Sequence, residues 1–189
     1  MISIEDLKPA KAMSDSQQLD KDSVLMLRRL LNHHHINDSQ LQEGGTQDNT
    51  DGYIALLDSE DRPVGKVGVQ VKHLTYPPQN GRVFYDIPAE LIGYAGRFKT
   101  EVILFIACDT KNNTFYWKCI DNNFINKCLK KGKQGHYRHT FLKTETANEA
   151  NIEDALSQWR ESRGQELSYT HYTPIYTIYS LRNCYLNVA

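Results

Sequence analysis

A mixed α/β domain, its central sheet holding both parallel and antiparallel strands between flanking helices, is the fold class this chain predicts. Three stretches carry that expectation. Val67, Val69 and Val71 alternate with Lys66, Gly68, Gln70 and Lys72, the period of a strand with an apolar and a polar face. Val102-Ile103-Leu104-Phe105-Ile106-Ala107 is an unbroken apolar run, the pattern of a strand buried on both faces in a parallel pair. Between them Leu91, Ile92, Ala95 and Phe98 recur at helical spacing after Pro88, which suits a first helical turn. A strand, a helix and a second strand in that order imply a right-handed crossover.

The remaining elements fall around this unit. Residues 1–20 are polar and mixed and read as a lead-in. Asp22 or Ser23 then caps a helix through Val24, Leu25, Leu27, Leu30 and Leu31, whose spacing makes one apolar face. That helix frays in His33-His34-His35, a run that suggests a metal cluster but whose consecutive side chains point in different directions on a helix, so a solvated helix end is the preferred reading. Turn formers crowd 43–50 and lead into the strand Asp51–Leu57. A turn with Pro63 near its end returns the chain as the valine strand. After the crossover, Asn112-Asn113 turns the chain into Thr114–Ile120, an antiparallel neighbour. His136–Lys143 reads as an edge strand, and Ile152, Ala155, Leu156 and Trp159 mark a late amphipathic helix. The expected organisation is a lead-in over 1–20, a core domain over 21–145, and a C-terminal helix and extension over 146–189. The ending carries no tail or stop signal, so the natural protein is expected to continue beyond it.

Composition narrows the function classes. Lys and Arg total 22 against 23 Asp and Glu, so a nucleic-acid partner must be met by a local patch and not by net charge. Cys108, Cys119, Cys128 and Cys184 form no C-x-x-C pair and have no histidine at zinc spacing, which points to free thiols in a reducing cytoplasm. No apolar run reaches membrane-spanning length.

The chemistry-bearing set is Asp51, Gln70 and Lys72. Gln70 and Lys72 leave one strand face about 7 Å apart. A hairpin folded about Asp61-Arg62 sets Asp51 opposite Lys72 and Tyr53 opposite Gln70. Burying an amide and an ammonium among valines is costly unless a partner compensates them. A carboxylate and an amide oxygen suit a Mg²⁺-type ion, which takes oxygen ligands and keeps several waters. Such an ion acidifies a bound water, and an adjacent ammonium neutralises charge developing on a phosphate, so phosphodiester hydrolysis is the chemistry this trio fits.

The order D-G-Y-I, then G-K-V-G-V-Q-V-K, a helix, E-V-I-L-F-I-A-C-D and F-Y-W resembles the PD-(D/E)xK nuclease superfamily. More closely it is similar to the restriction-endonuclease-like domains of bacterial defence proteins, in which an Asp-Gly strand leads to a Gln-x-Lys strand. The resemblance covers roughly residues 20–145. It implies a restriction-endonuclease-like core, metal ligation by Asp51 and Gln70 with Mg²⁺ or Mn²⁺, and a catalytic Lys72. It also implies a further acid from the first helix or the loop after it, with Glu43 the first candidate and Asp22 and Asp48 behind it. The activity implied is DNA endonuclease, acting on double-stranded DNA as the effector of an antiviral or restriction system. A dimer would bring one site to each strand. Thr50 stands where the motif's proline would be, and Gln70 replaces a second carboxylate, which lowers the negative charge available to an ion. The alternative is an inactive module of the same fold that binds nucleic acid or a protein.

Two more features stand out. Lys127, Lys130, Lys131, Lys133 and Arg138, with His136 and His139 close by, make either a phosphate-contacting patch or a solvated basic loop. Tyr169, Tyr172, Tyr176 and Tyr179 suit packing at a sheet edge or domain surface better than base stacking.

Overall fold

The computed structural model describes residues 14–32, 36–37, 41, 50–58, 60–76, 78–97, 102–132 and 135–170, with side chains to residue 162. In chain order the elements are α1 (Asp15–Leu31), β1 (Ile36–Asn37), β2 (Gly52–Leu57), β3 (Pro63–His73), β4 (Phe84–Pro88) and α2 (Ala89–Arg97). They continue as β5 (Ile103–Asp109), β6 (Thr114–Cys119), α3 (Asn122–Lys130), β7 (His136–Thr140), a short 3₁₀ turn at Lys143–Glu145, β8 (Thr146–Ala147) and α4 (Ile152–Thr170).

The main sheet has the order β1-β2-β3-β5-β6-β8. Only β3 and β5 run parallel, and every other neighbouring pair is antiparallel, so the sheet is mixed. β5 sits in the middle and is buried along its whole length, as an unbroken apolar run requires. The crossover from β3 to β5 carries β4 as well as α2. β4 pairs with β7 in a separate two-stranded ribbon, so His136–Thr140 extends that ribbon and not the edge of the main sheet.

Two apolar layers cover the sheet. On one face Val67, Val69, Val71, Leu104 and Ile106 pack with Leu27, Leu30 and Leu31 of α1 and with Ile152, Leu156 and Trp159 of α4. The C-terminal helix therefore shares the core of the preceding domain, and its apolar stripe is what binds it there. On the other face Ile103, Phe105 and Ala107 pack with Leu91, Ile92 and Ala95 of α2, Phe124 of α3 and Ile87 of β4. Gly68 belongs to this face, and a Cβ there would lie 2.6 Å from Ile103 Cδ1, so glycine allows β5 to seat against β3.

Two local expectations are corrected. α1 begins at Asp15, with Ser14 as its cap: Ser14 Oγ accepts the Gln17 N–H at 3.3 Å and Gln17 Oε1 accepts the Ser14 N–H at 3.0 Å. This reciprocal capping box sits a full two turns before Asp22 and Ser23 and makes 15–20 helical. Ser23 is instead buried inside α1 with its hydroxyl on Leu19 O. The lysine-rich segment is likewise helical up to Lys130: Asp121 caps α3 by accepting the Phe124 N–H at 2.7 Å. Lys127 and Lys130 complement the carbonyl end of that helix.

Candidate functional site

β2 ends short of β3, and that inequality makes the site. The last register pair is Gly52 with Val69, the Asp51 N–H still donates to Val69 O at 2.7 Å, and β3 runs on to His73. On the side that β2 has vacated, the N–H groups of Val71 and His73 need other acceptors. Asp51 Oδ2 accepts the Val71 N–H at 2.6 Å, and Asp20 Oδ1, reaching from α1, accepts the His73 N–H at 3.0 Å. Two carboxylates thus replace two rungs of the ladder along the open edge.

The β3 side chains meet those carboxylates. Gln70 Nε2 donates to Asp51 Oδ2 at 2.8 Å, and Lys72 Nζ donates to Asp20 Oδ2 at 2.9 Å. Asp51, Gln70 and Lys72 are therefore brought together as the sequence predicts, although the register differs. Tyr53 stands opposite Gly68 and not Gln70, a shift of two residues. The hairpin closes earlier than expected because the Asp58 carboxylate gathers the N–H groups of Glu60 and Arg62, and because the ladder is irregular between Leu56 and Leu57. A shift of two keeps every side chain on its face, so the site survives the error.

The third acid differs from the expected one. Asp22 is turned along α1, where it accepts from Gln18 Nε2 at 2.8 Å, and Asp20 is the α1 residue that reaches the site. Glu43, Asp48 and His33-His34-His35 lie outside the described residues. Asp20 was hidden in the sequence because it fell inside the assumed lead-in. The Ser14-x-x-Gln17 capping signature was the signal that would have placed it on a helix. Tyr85 of β4 also escaped notice. Its ring packs on Phe105 at 4.8 Å between centroids.

The electrostatics of the cluster are uneven. Burial pushes the Asp51 carboxyl above its ordinary value, against the Val71 N–H and Lys72, and the nearby Asp20 charge pushes the same way. Burial works against the Lys72 ammonium too, but the Asp20 hydrogen bond and the charges of Asp20 and Asp51 outweigh it and hold the group above its ordinary range. Burial likewise raises the Tyr85 hydroxyl, which lies in the field of Asp20 and Lys72.

Two polar atoms flank the cluster without a partner. Thr50 Oγ1, just before Asp51, and His73 Nδ1, just after Lys72, are buried and unbonded. Two carboxylates and one amide oxygen form a hard donor set that suits an ion keeping most of its own waters. Among the described residues no group of three or more His, Cys, Asp or Glu side chains stands ready to hold a metal, so any ion here would lean on Gln70 and on water. Cys108, Cys119 and Cys128 are buried in the two apolar layers and take no part in this cluster, and Cys184 lies outside the described residues. No helix among the described residues is long and apolar enough to cross a membrane.

Comparison with protein-family models gives no match to this chain, comparison with curated proteins gives none, and comparison with solved structures gives none.

Proposed function

We propose that this chain is a metal-dependent DNA endonuclease whose site is Asp51, Gln70, Lys72 and Asp20. The observation that carries the reading is the convergence of all four on β3 beyond its last pairing with β2, with Asp51 half-buried and only partly compensated. A cation is the partner that would relieve such a carboxylate. Asp51, Asp20 and the Oε1 of Gln70 would hold Mg²⁺ or Mn²⁺, the amide turning half a revolution to present its oxygen. When bound, the ion polarises a phosphodiester and acidifies a water. Asp20 takes the place that the resemblance to PD-(D/E)xK nucleases left to Glu43.

The protein side chains have separate tasks. Asp51 is fixed by the Val71 N–H, so its direction is set by the β3 backbone and not by its own rotamer. Lys72 stays protonated at neutral pH, which suits it to neutralise charge on a phosphate oxygen and not to act as a base. Binding of a cation by Asp20 would loosen its hold on Lys72 and free the ammonium to turn toward substrate. In the cell the activity would serve an antiviral or restriction system, on double-stranded DNA and as a dimer, in keeping with the motif resemblance.

The test is plasmid DNA incubated with the purified protein and Mg²⁺ or Mn²⁺, beside a crystal soaked in Mn²⁺. Anomalous density between Asp51 and Gln70, with cleavage lost in Asp51→Ala, is expected. Cleavage that persists in Asp51→Ala or Lys72→Ala would remove the assignment.

One observation favours a second reading, a non-catalytic module that binds nucleic acid or a protein. Each acid already has a side-chain donor, Gln70 on Asp51 and Lys72 on Asp20. That reading predicts binding without any divalent ion and no cleavage in any state.

A further inference from the structure

The outer face of the β4–β7 ribbon carries an aromatic and basic surface beside the candidate site. Phe84 and Tyr85 are adjacent on β4 and so point to opposite faces of the ribbon. Tyr85 points in, to Phe105, and Phe84 points out. On the outside the Tyr76 ring stacks on Phe84, with centroids 6.0 Å apart and planes 24° apart. The Arg138 guanidinium lies over Phe84 at 4.6 Å, locked by two bonds to Asp86 at 2.8 and 2.9 Å. Tyr76 is 53% exposed, a large ring held by a neighbour yet open to solvent.

Arg138 also joins this ladder to a surface cavity of about 500 Å³, whose lining includes Lys118, Lys127, Lys130, Lys131 and Asp121. Lys118 is held by Glu145 beneath, and Arg138 by Asp86. Asp121 is occupied with capping α3. The lining itself carries Lys118, Lys127, Lys130, Lys131 and Arg138 against one carboxylate, Asp121. The site end of the surface is close: Tyr76 follows Lys72 by four residues, and the Tyr85 hydroxyl on the inner side of the ribbon lies in the field of Lys72 and Asp20.

We infer that this surface is a track for an unpaired nucleic-acid strand, with a base stacked on Tyr76 and its backbone phosphates in the Arg138–Lys127–Lys130 cavity. A ring face can stack only on a base that is not stacked within a duplex, so the strand it takes is single or splayed. Phosphates suit the cavity because lysines release counterions on meeting them, whatever the sequence. The inference deepens the nuclease reading by naming the substrate form, an end, flap or opened stretch next to the bond to be cut. It rests on that reading for its purpose, but its binding claim does not.

The experiment measures binding in EDTA, by fluorescence anisotropy, of a labelled single-stranded DNA 20-mer and of the same sequence as a blunt duplex. The single strand is expected to bind more tightly. Tyr76→Ala is expected to weaken the single strand about tenfold, and Tyr76→Trp to restore it. The double variant Lys127→Ala/Lys130→Ala is expected to flatten the dependence of log K on log salt by about 1.4. Equal affinity for strand and duplex, or a Tyr76→Ala protein that melts and binds like the parent, overturns the track. Binding of this kind without plasmid cleavage would leave the track standing and remove the nuclease reading, and the converse pattern would do the opposite.

Discussion

Asp51 and Glu145 are both carboxylates withdrawn from water, and they meet that withdrawal in opposite ways. Glu145 is only 5% exposed, yet its carboxyl is held down to about 2: burial opposes the charge, and bonds from His139, Lys118 and the Leu142 N–H overcome it. Lys118 Nζ donates to one of its oxygens at 2.7 Å, and His139 Nε2 meets the other at 2.8 Å. Asp51 has the Val71 N–H and a neutral amide, with its nearest cation already committed to Asp20, and burial prevails. The difference separates a carboxylate that the fold has satisfied from one that the fold has left in need of a partner. Their lysines sit on the same sheet, since Gln70 pairs with Phe105 and Phe105 with Lys118, but Lys72 lies beyond the Gly52–Val69 end of the β2–β3 ladder.

The two clusters are expected to respond differently to the same kind of change. The largest effect is expected at the open edge. Lys72→Ala and Asp51→Ala should each lower the rate of plasmid nicking by about 10³-fold while the protein stays folded, a loss typical of removing one group aimed at transition-state charge. Far-UV circular dichroism and melting alongside the nicking assay would show whether the loss is chemical.

Glu145→Gln should act on stability and not on chemistry. Because the folded carboxyl titrates far below its ordinary 4.5, its contribution is fully present above that value and is lost as pH falls from about 4.5 toward 2. The substitution should cost about 3 kcal/mol at pH 7, the range for breaking one side of a buried pair, and the cost should shrink in acid. Urea titrations at pH 7 and pH 3 measure both. An undiminished cost at pH 3 would assign the loss to packing.

Asp51→Asn should change stability in the other direction. A raised carboxyl destabilises the fold wherever it is ionised, so the variant should gain about 1 kcal/mol at pH 7, a common trade at functional sites. The gain should vanish as pH falls through the ordinary value of 3.8, where the unfolded chain also takes up the proton. A variant less stable than the parent at pH 7 would show that Asp51 is satisfied after all. The smallest effect is expected from Asp20→Asn. It keeps an acceptor for the His73 N–H but removes the charge facing Lys72, a half-exposed pair worth about 0.5 kcal/mol. Its clear signature would be a higher Mn²⁺ requirement in the cleavage assay.

Periodicity was enough to find β3, α2, β5, β6 and the apolar stripe of α4, because each is a run whose pattern has one good burial solution. It was also enough to bring Gln70 and Lys72 to one strand face, since a period of two fixes that without any knowledge of neighbours. It missed the start of α1, where the apolar face fades before the helix does and only the capping pair marks the end. α3 went unread as a helix because its nine residues are crowded with asparagine and lysine.

What the residues alone determined is therefore the alternation and apolar content of the segments, and through them the mixed sheet and the pairing of an amide with an ammonium. Tertiary structure decided which carboxylates join them. Asp20 is 52 residues from Lys72, and no local pattern records that β2 stops at Gly52 while β3 goes on to His73. The backbone N–H groups stranded by that mismatch are what draw the two acids in, and a stranded donor exists only once the strands have paired.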